Sequence, residues 1–452
     1  MKKPEIFREK AGLNGREILG WAMYDWANSA FSTIVVTTLL GPYLTRLAES
    51  SGGIDLAGFH VMPAAFYPAC VSISVALQVF VLPILGSFAD RTGLKKELLI
   101  ISAFTGSVST MLLYLIEPGL MGMDINLVVI TGGLLFVMAN LAFGASVVLC
   151  NAFLPDIAPP AQRDRISSLG WAIGYLGGGI ALMAALALFS FMPDKAKAVR
   201  MSLALAGAWW LVFTLIFPAR LLRPGKPVKI CGQACSRPFR GVRQVIRTLT
   251  AIRLNHPETL RFLVAYLVYN DGIQTVIAVA TLFASKELGV SNRTLLLLIL
   301  MIQFAAFFGS ILFGWIAGKM GAKRSIMLSL VVWSGISVYA YGFLYSTFQL
   351  FILGAATAVV LGGSQALSRS LYSQLIPRQN ESEYFAFYEI SERGTSWIGP
   401  FIFAGAVQFT GSTRVAILSL MVFFVVGLLL LGRVDVERGM MDAGNDTMDV
   451  VI

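Results

Sequence analysis

The sequence predicts an all-α integral membrane protein of twelve transmembrane helices, arranged as two pseudo-symmetric six-helix bundles. Three observations carry that prediction. Of 452 residues, 56% are hydrophobic and only 13% are charged, whereas a soluble domain carries about 25%; mean hydropathy is +0.74. Long apolar runs recur along the chain, matching the roughly 20 residues a spanning helix needs rather than the short alternation of a barrel strand. Polar signatures of the first half also return in the second.

The spans fall at about 17–46, 64–89, 97–117, 127–151, 167–192, 200–219, 259–285, 294–317, 324–345, 349–375, 384–409 and 414–432. The first follows a polar, basic leader and ends without a small-residue cleavage site, so it reads as a retained span. The loops on the side of both termini hold 25 Lys and Arg residues, and those on the other side hold 6. That asymmetry places both termini in the cytoplasm, and the location expected is a bacterial inner membrane. It also explains the net charge of +10, so no nucleic-acid partner is expected. The division that follows is a first bundle at 1–219, a basic linker at 220–257, a second bundle at 258–434 and an acidic tail at 435–452.

The linker has nine basic residues and no acid. Val242, Val245, Ile246, Leu249 and Ile252 follow helical spacing, with Arg240, Arg243 and Arg247 on another face. This predicts an amphipathic helix along an anionic membrane surface. Cys70 and Cys150 lie within spans as packing residues. Cys231-x-x-x-Cys235 has no second Cys or His pair, and His60 and His256 stand alone. No metal site and no cofactor are expected.

Charged and amide side chains inside the spans mark the candidate site, because a lipid-facing charge costs about 2.5–3.5 kcal/mol. In span 1, Asp25, Asn28, Ser29 and Ser32 share one helical face. Span 7 brings Asn270, Asp271 and Gln274, with Asp271 about 18 Å deep at 1.5 Å per residue. There it serves as a proton carrier, a substrate ligand or a fixed structural charge. On span 10, Gln365, Ser368, Arg369 and Tyr372 form a polar stripe. Arg369 suits a substrate carboxylate, which a guanidinium grips with two hydrogen bonds, or else pairs with a buried acid. On span 11, Glu389 and Arg393 are four apart and satisfy each other, leaving Glu392 as a further protonation candidate. Gly170, Gly174, Gly177, Gly178 and Gly179 make span 5 a close-packing surface. Asn140 and Asn151 are cavity or interhelical amides.

The loop after span 2 reads Gly86-Ser87-Phe88-Ala89-Asp90-Arg91-Thr92-Gly93-Leu94-Lys95-Lys96, and its echo after span 8 runs from Gly314 to Arg324. The first copy resembles the loop signature of the major facilitator superfamily. That resemblance implies that Gly86, Asp90, Arg91, Gly93 and Lys95 help close the cytoplasmic side. Leu94 stands where the family usually has Arg. Gly318 replaces the acid in the second copy, which is therefore expected to be the weaker gate. Tyr24-Asp25-Trp26-Ala27-Asn28-Ser29-Ala30, Tyr269-Asn270-Asp271-Gly272 and Gly362-Gly363-x-Gln365-Ala366-Leu367-Ser368-Arg369-Ser370 resemble one branch of it. That branch holds bacterial permease-like proteins and the autophagy-related vacuolar effluxers of fungi, and it implies amino-acid transport.

The function expected is secondary active transport of a small polar solute, coupled to protons, by a monomer that alternates access around spans 1, 4, 7 and 10. No G-x-x-x-x-G-K-[ST] phosphate loop is present, and no enzyme constellation can be assembled. Two other classes fit the sequence. One is a lipid or amphipath mover lined by Phe31, Phe304, Phe307 and Phe308. The other is a ligand-binding sensor or scaffold that does not carry.

Overall fold

The computed structural model describes residues 14–50, 52–56, 59–119, 122–224, 241–378, 380–393 and 398–445, with side chains withheld at 241–247, 281–282 and 292. The Cys231/Cys235 pair, Arg240, the side chains of Val242, Arg243, Val245, Ile246 and Arg247, and Asp446 and Asp449 of the tail lie outside the described residues. Among the described residues, the regular structure is helical apart from one small hairpin. In order, the elements are α1 (Gly15–Ala30), a π-helical segment (Phe31–Leu39), α2 (Leu40–Ser50), β1 (Ile54–Leu56), β2 (Phe59–Val61), α3 (Pro63–Thr92), α4 (Lys95–Leu112), α5 (Ile125–Asn151), α6 (Leu154–Ile157), α7 (Pro160–Phe191), α8 (Lys195–Ile216) and α9 (Pro218–Leu221). There follow α10 (Gly241–Asn255), α11 (Pro257–Leu288), α12 (Asn292–Met320), α13 (Ala322–Gly342), α14 (Thr347–Gln374), α15 (Glu381–Arg393), α16 (Ile398–Thr410), α17 (Thr413–Ser419), α18 (Met421–Gly432) and α19 (Val436–Asp442). The strands pair antiparallel, Asp55 opposite His60.

Among the described residues, 10 helical segments are long and apolar enough to cross a membrane. The other two expected spans are not among these ten. The first is split by the π segment into α1, Phe31–Leu39 and α2. The eleventh, expected at 384–409, includes residues 394–397, which lie outside the described residues; α15 and α16 flank them, and α15 carries Glu381 and Glu383 ahead of that span and Glu389, Glu392 and Arg393 within it.

Helix starts on the side away from the termini are capped locally, apart from α3, which begins at Pro63 without a side-chain cap. Asp124, Asp194, Ser291, Ser346 and Ser412 each accept an N–H from the first turn of α5, α8, α12, α14 and α17, which satisfies donors that a helix end leaves free. The first cap on α15 comes instead from another span, as described below.

The internal repeat is visible in space. Gly93 and Gly321, the matched glycines of the two loop copies, both take positive φ, 73° and 84°, which a side chain would strain. Gly86 of α3 lies against α15, where a Cβ would stand 2.4 Å from the Ser382 carbonyl oxygen. Its counterpart Gly314 of α12 lies against α7, where a Cβ would stand 2.7 Å from Ser168 Cβ. Each repeat therefore presses one glycine-faced helix onto the other half. One apolar core surrounds Trp21, Phe31, Phe136 and Trp210. A second surrounds Tyr266, Trp333 and Phe424, and takes in Leu82 of α3, Ala145 and Val148 of α5, and Ala152 just after α5.

Two peripheral elements tie off the end of the bundle that carries the termini, called here the basic side. Helix α10 docks rather than standing clear: Ile252 is fully buried and the Thr248 hydroxyl donates to Glu383. Its other face leaves Leu249, Arg253 and Leu254 exposed. The C-terminal segment folds back as a strap. Glu258 accepts the Asp435 N–H at 2.9 Å, and the Asn445 amide donates to the Gln374 and Ile376 carbonyls at 2.7 and 3.1 Å. Gly439 permits this approach, since a Cβ there would lie 2.6 Å from Leu375.

Candidate functional site

Two buried polar clusters join the halves near the basic side. The first is built on Arg369 of α14, with only 3% of its side chain exposed. Its hydrogen-bond partners are on the first half. Nη1 donates to Asp25 Oδ2 at 2.9 Å and to Asn151 Oδ1 at 3.2 Å. Nε and Nη2 donate to the hydroxyl and carbonyl of Ser167 at 3.0 and 2.9 Å. The guanidinium lies over Trp21 at 4.5 Å and Trp171 at 5.5 Å, a contact that strengthens when water is excluded. Gly170 makes room, because a Cβ there would stand 2.6 Å from Asp25 Oδ2 and 2.9 Å from Arg369 Nη2. Further cross-half bonds flank it: Ser167 Oγ to the Ala366 carbonyl, Arg163 Nη1 to the Ser373 carbonyl and Ser370 Oγ to Asp164, at 2.7, 2.6 and 2.5 Å.

The second cluster centres on Lys95 at the start of α4. Its Nζ lies 3.0 Å from Glu381, 3.4 Å from Asp156 and 3.8 Å from Asp90. Asp90 in turn accepts the N–H groups of Ser382 and Glu383 at 3.1 and 2.9 Å, so it caps α15 from the opposite half. Glu381 precedes the eleventh span. Burial raises its carboxyl above the ordinary range, and the Lys95 charge opposes that. Arg91 does not join this relay. It is exposed and makes no ion pair among the described residues, because it follows Asp90 by one residue and so leaves the helix on a different face. In the second loop copy, Lys323 donates to the Gly432 and Val434 carbonyls within its own half, and Lys319 lies over Trp315 at 3.6 Å.

Gly86→Ala is expected to weaken this seam. The added methyl meets backbone of α15 at 2.4 Å, and overpacking of this kind costs about 1–3 kcal/mol. Lower thermal stability together with greater thiol labelling of a cysteine placed at Ser168 would show it.

The remaining candidates stand around α11 and the end of α15. Asn270 donates to the Glu392 carbonyl at 2.8 Å, and the Tyr266 hydroxyl to the Glu392 carboxylate at 3.1 Å. Glu389 pairs with Arg393 within α15, and Arg393 lies over Phe143 of the first half at 4.6 Å. Asp271 is 1% exposed; neither carboxylate oxygen completes a hydrogen bond among the described residues, although the Gly399 amide faces it. Gln365 accepts from Tyr175 of α7 at 2.6 Å. Gln274 is half-buried and Asn28 is buried. Asn140 is interhelical, donating to Ser74 at 2.7 Å.

Sequence reasoning found Asp25 and Arg369 separately and did not pair them. It placed no weight on Ser167, Trp21, Trp171, Asp156 or Glu381. Asp156 and Glu381 had a readable signal, since each directly follows a span that ends on the basic side.

The sequence matches the family described as vacuole effluxer Atg22 like over residues 14–444. An uncharacterized MFS-type transporter, YxiO, of Bacillus subtilis strain 168 is 30% identical over 423 residues, covering 92% of this chain and 94% of the relative. Autophagy-related protein 22-1 of Penicillium rubens is 27% identical over 550 residues, covering 95% and 91%. Among solved structures, a bacterial homologue of the iron transporter ferroportin in an outward-facing state superposes with a TM-score of 0.68 at 16% identity, covering 93% of this chain and 99% of that one. A double-tryptophan mutant of XylE gives 0.70 at 12% identity, covering 94% and 97%. At such identities the structures establish the fold alone. The fold is that of the major facilitator superfamily, and within it the chain belongs to the Atg22-like vacuole effluxer family.

Proposed function

We propose that this membrane transporter is a secondary carrier that moves a small polar solute, an amino acid in the first instance, by alternating access with a proton as the coupling ion. The observation that carries the reading is the Arg369 cluster. A guanidinium of the second half is held by groups of the first. Parting the halves on the basic side withdraws it from every one of those partners. A buried charge stripped of its partners is costly, so the opened form favours a solute whose carboxylate replaces Asp25 and whose ammonium meets it. The family's description as a vacuole effluxer supports a solute that is exported. The loop charges support a cytoplasmic basic side.

Proton coupling is assigned to Asp271, whose carboxylate oxygens are buried without a completed hydrogen bond among the described residues. The test is uptake of labelled amino acids into proteoliposomes with and without an imposed pH gradient. The wild-type chain is expected to accumulate label when the gradient is present. Asp271→Asn is expected to lose accumulation and keep exchange of label across equal concentrations. Full gradient-driven accumulation by Asp271→Asn would sink the coupling role, and failure of every amino acid to move would sink the substrate.

A further inference from the structure

The first span contains a device on which the Arg369 cluster depends. Thr33 to Thr38 are six consecutive β-branched residues, which crowd an ordinary helical turn. The chain widens here into the π-helical segment Phe31–Leu39. Thr37 and Thr38 donate their hydroxyls to carbonyls five residues back, Ser32 at 2.8 Å and Thr33 at 2.6 Å. The Leu40 N–H likewise bonds to the Val35 carbonyl. Returning from five-back to four-back bonding skips one carbonyl, that of Val36, which must find a donor elsewhere. The Tyr67 hydroxyl of α3 supplies it at 2.8 Å. Gly41 leaves space for the ring, since a Cβ there would lie 2.9 Å from Tyr67 Cδ1, and Phe136 supports the ring with centroids 5.0 Å apart.

Both ends of the span are tied down. On α2, the Tyr43 hydroxyl donates to the Ile116 carbonyl. On α1, Trp21 Nε1 donates to the Cys150 carbonyl at 2.8 Å, and Asp25 holds Arg369. A π turn holds an extra residue compared with an α turn. Ejecting it turns one end of the span against the other by about 100°, one residue's step in a helix. With α2 anchored, that turn carries Trp21 and Asp25 away from Arg369.

We propose that Tyr67 is a positioning residue of the transport cycle: its bond to the Val36 carbonyl holds span 1 in the register that presents Asp25 to Arg369, and breaking it releases the basic side. The proposal rests on the alternating-access reading, but its test needs no substrate, so the two fail separately. Ser168 is 2% exposed at the α7–α12 seam and its hydroxyl has no hydrogen bond among the described residues. Ser168→Cys, in a chain whose 4 native cysteines are replaced by alanine, reports opening as thiol labelling. Tyr67→Phe keeps the ring and removes the hydroxyl. It is expected to speed labelling about five- to tenfold, the shift that one ordinary hydrogen bond supports. Asp25→Asn is expected to speed it as well, and the double variant is expected to exceed neither single by much, as for two residues acting on one step. Gly41→Ala, which displaces the Tyr67 ring, is a second route to the same result. Unchanged labelling in Tyr67→Phe, no effect of Asp25→Asn, or effects that simply multiply in the double variant would overturn the proposal.

Discussion

Arg369→Gln is expected to be the most damaging single substitution on the basic side. It leaves Asp25 beside Asn151 and Ser167 with no cation, and breaking a buried pair by removing one partner costs about 3–5 kcal/mol. The loss exceeds the value of the pair itself, because the stranded carboxylate stays desolvated. Thermal unfolding in detergent checks the size, and a cysteine at Ser168 checks the direction, which is toward an open basic side. The double variant Asp25→Asn with Arg369→Gln removes the stranded charge and is expected to recover part of the stability without recovering closure. Equal stability of the single and double variants would show that Asp25 is neutral or hydrated there.

Lys95→Met is expected to come second, and its effect depends on pH. The substitution leaves Asp90, Asp156 and Glu381 around an empty centre, with Glu381 and Asp90 both buried. A carboxyl raised by burial, as Glu381 is, binds its proton more tightly in the closed form than when the halves part. Its contribution to closure is present at low pH and is lost as pH rises through its raised value. Without the opposing Lys95 charge that dependence steepens. The variant should label as open at pH 8 and close progressively toward pH 5, while the wild type changes less. A variant open to the same degree across that range would place the effect elsewhere than in these carboxylates.

Much of this arrangement is legible in the chain because charge is scarce inside a membrane span. Asp25, Asp271, Arg369 and Glu392 stand out against apolar neighbours, and the glycines of the two loop copies repeat at matching positions. Their pairing is not legible. Asp25 and Arg369 are 344 residues apart, and only the packing of α1 against α7 and of α7 against α14 brings them together. Glu381 reads as a loop acid, because nothing local indicates that Gly86 allows α15 to lie against α3. Arg91 reads as a gate residue because it adjoins Asp90, yet one residue along a helix changes the face entirely. The π segment leaves no trace in apolar periodicity. The run of β-branched residues from Thr33 to Thr38 is its one local sign.

The C-terminal strap has a consequence for biosynthesis. The Asn445 amide is bonded to the Gln374 and Ile376 carbonyls, at the turn from which Glu381 and Ser382 approach Lys95 and Asp90. Those carbonyls find their donor only once Asn445, downstream of α18, has been made. A nascent chain made only as far as α18 therefore still lacks the donor that ties down the turn between α14 and α15, beside the gate.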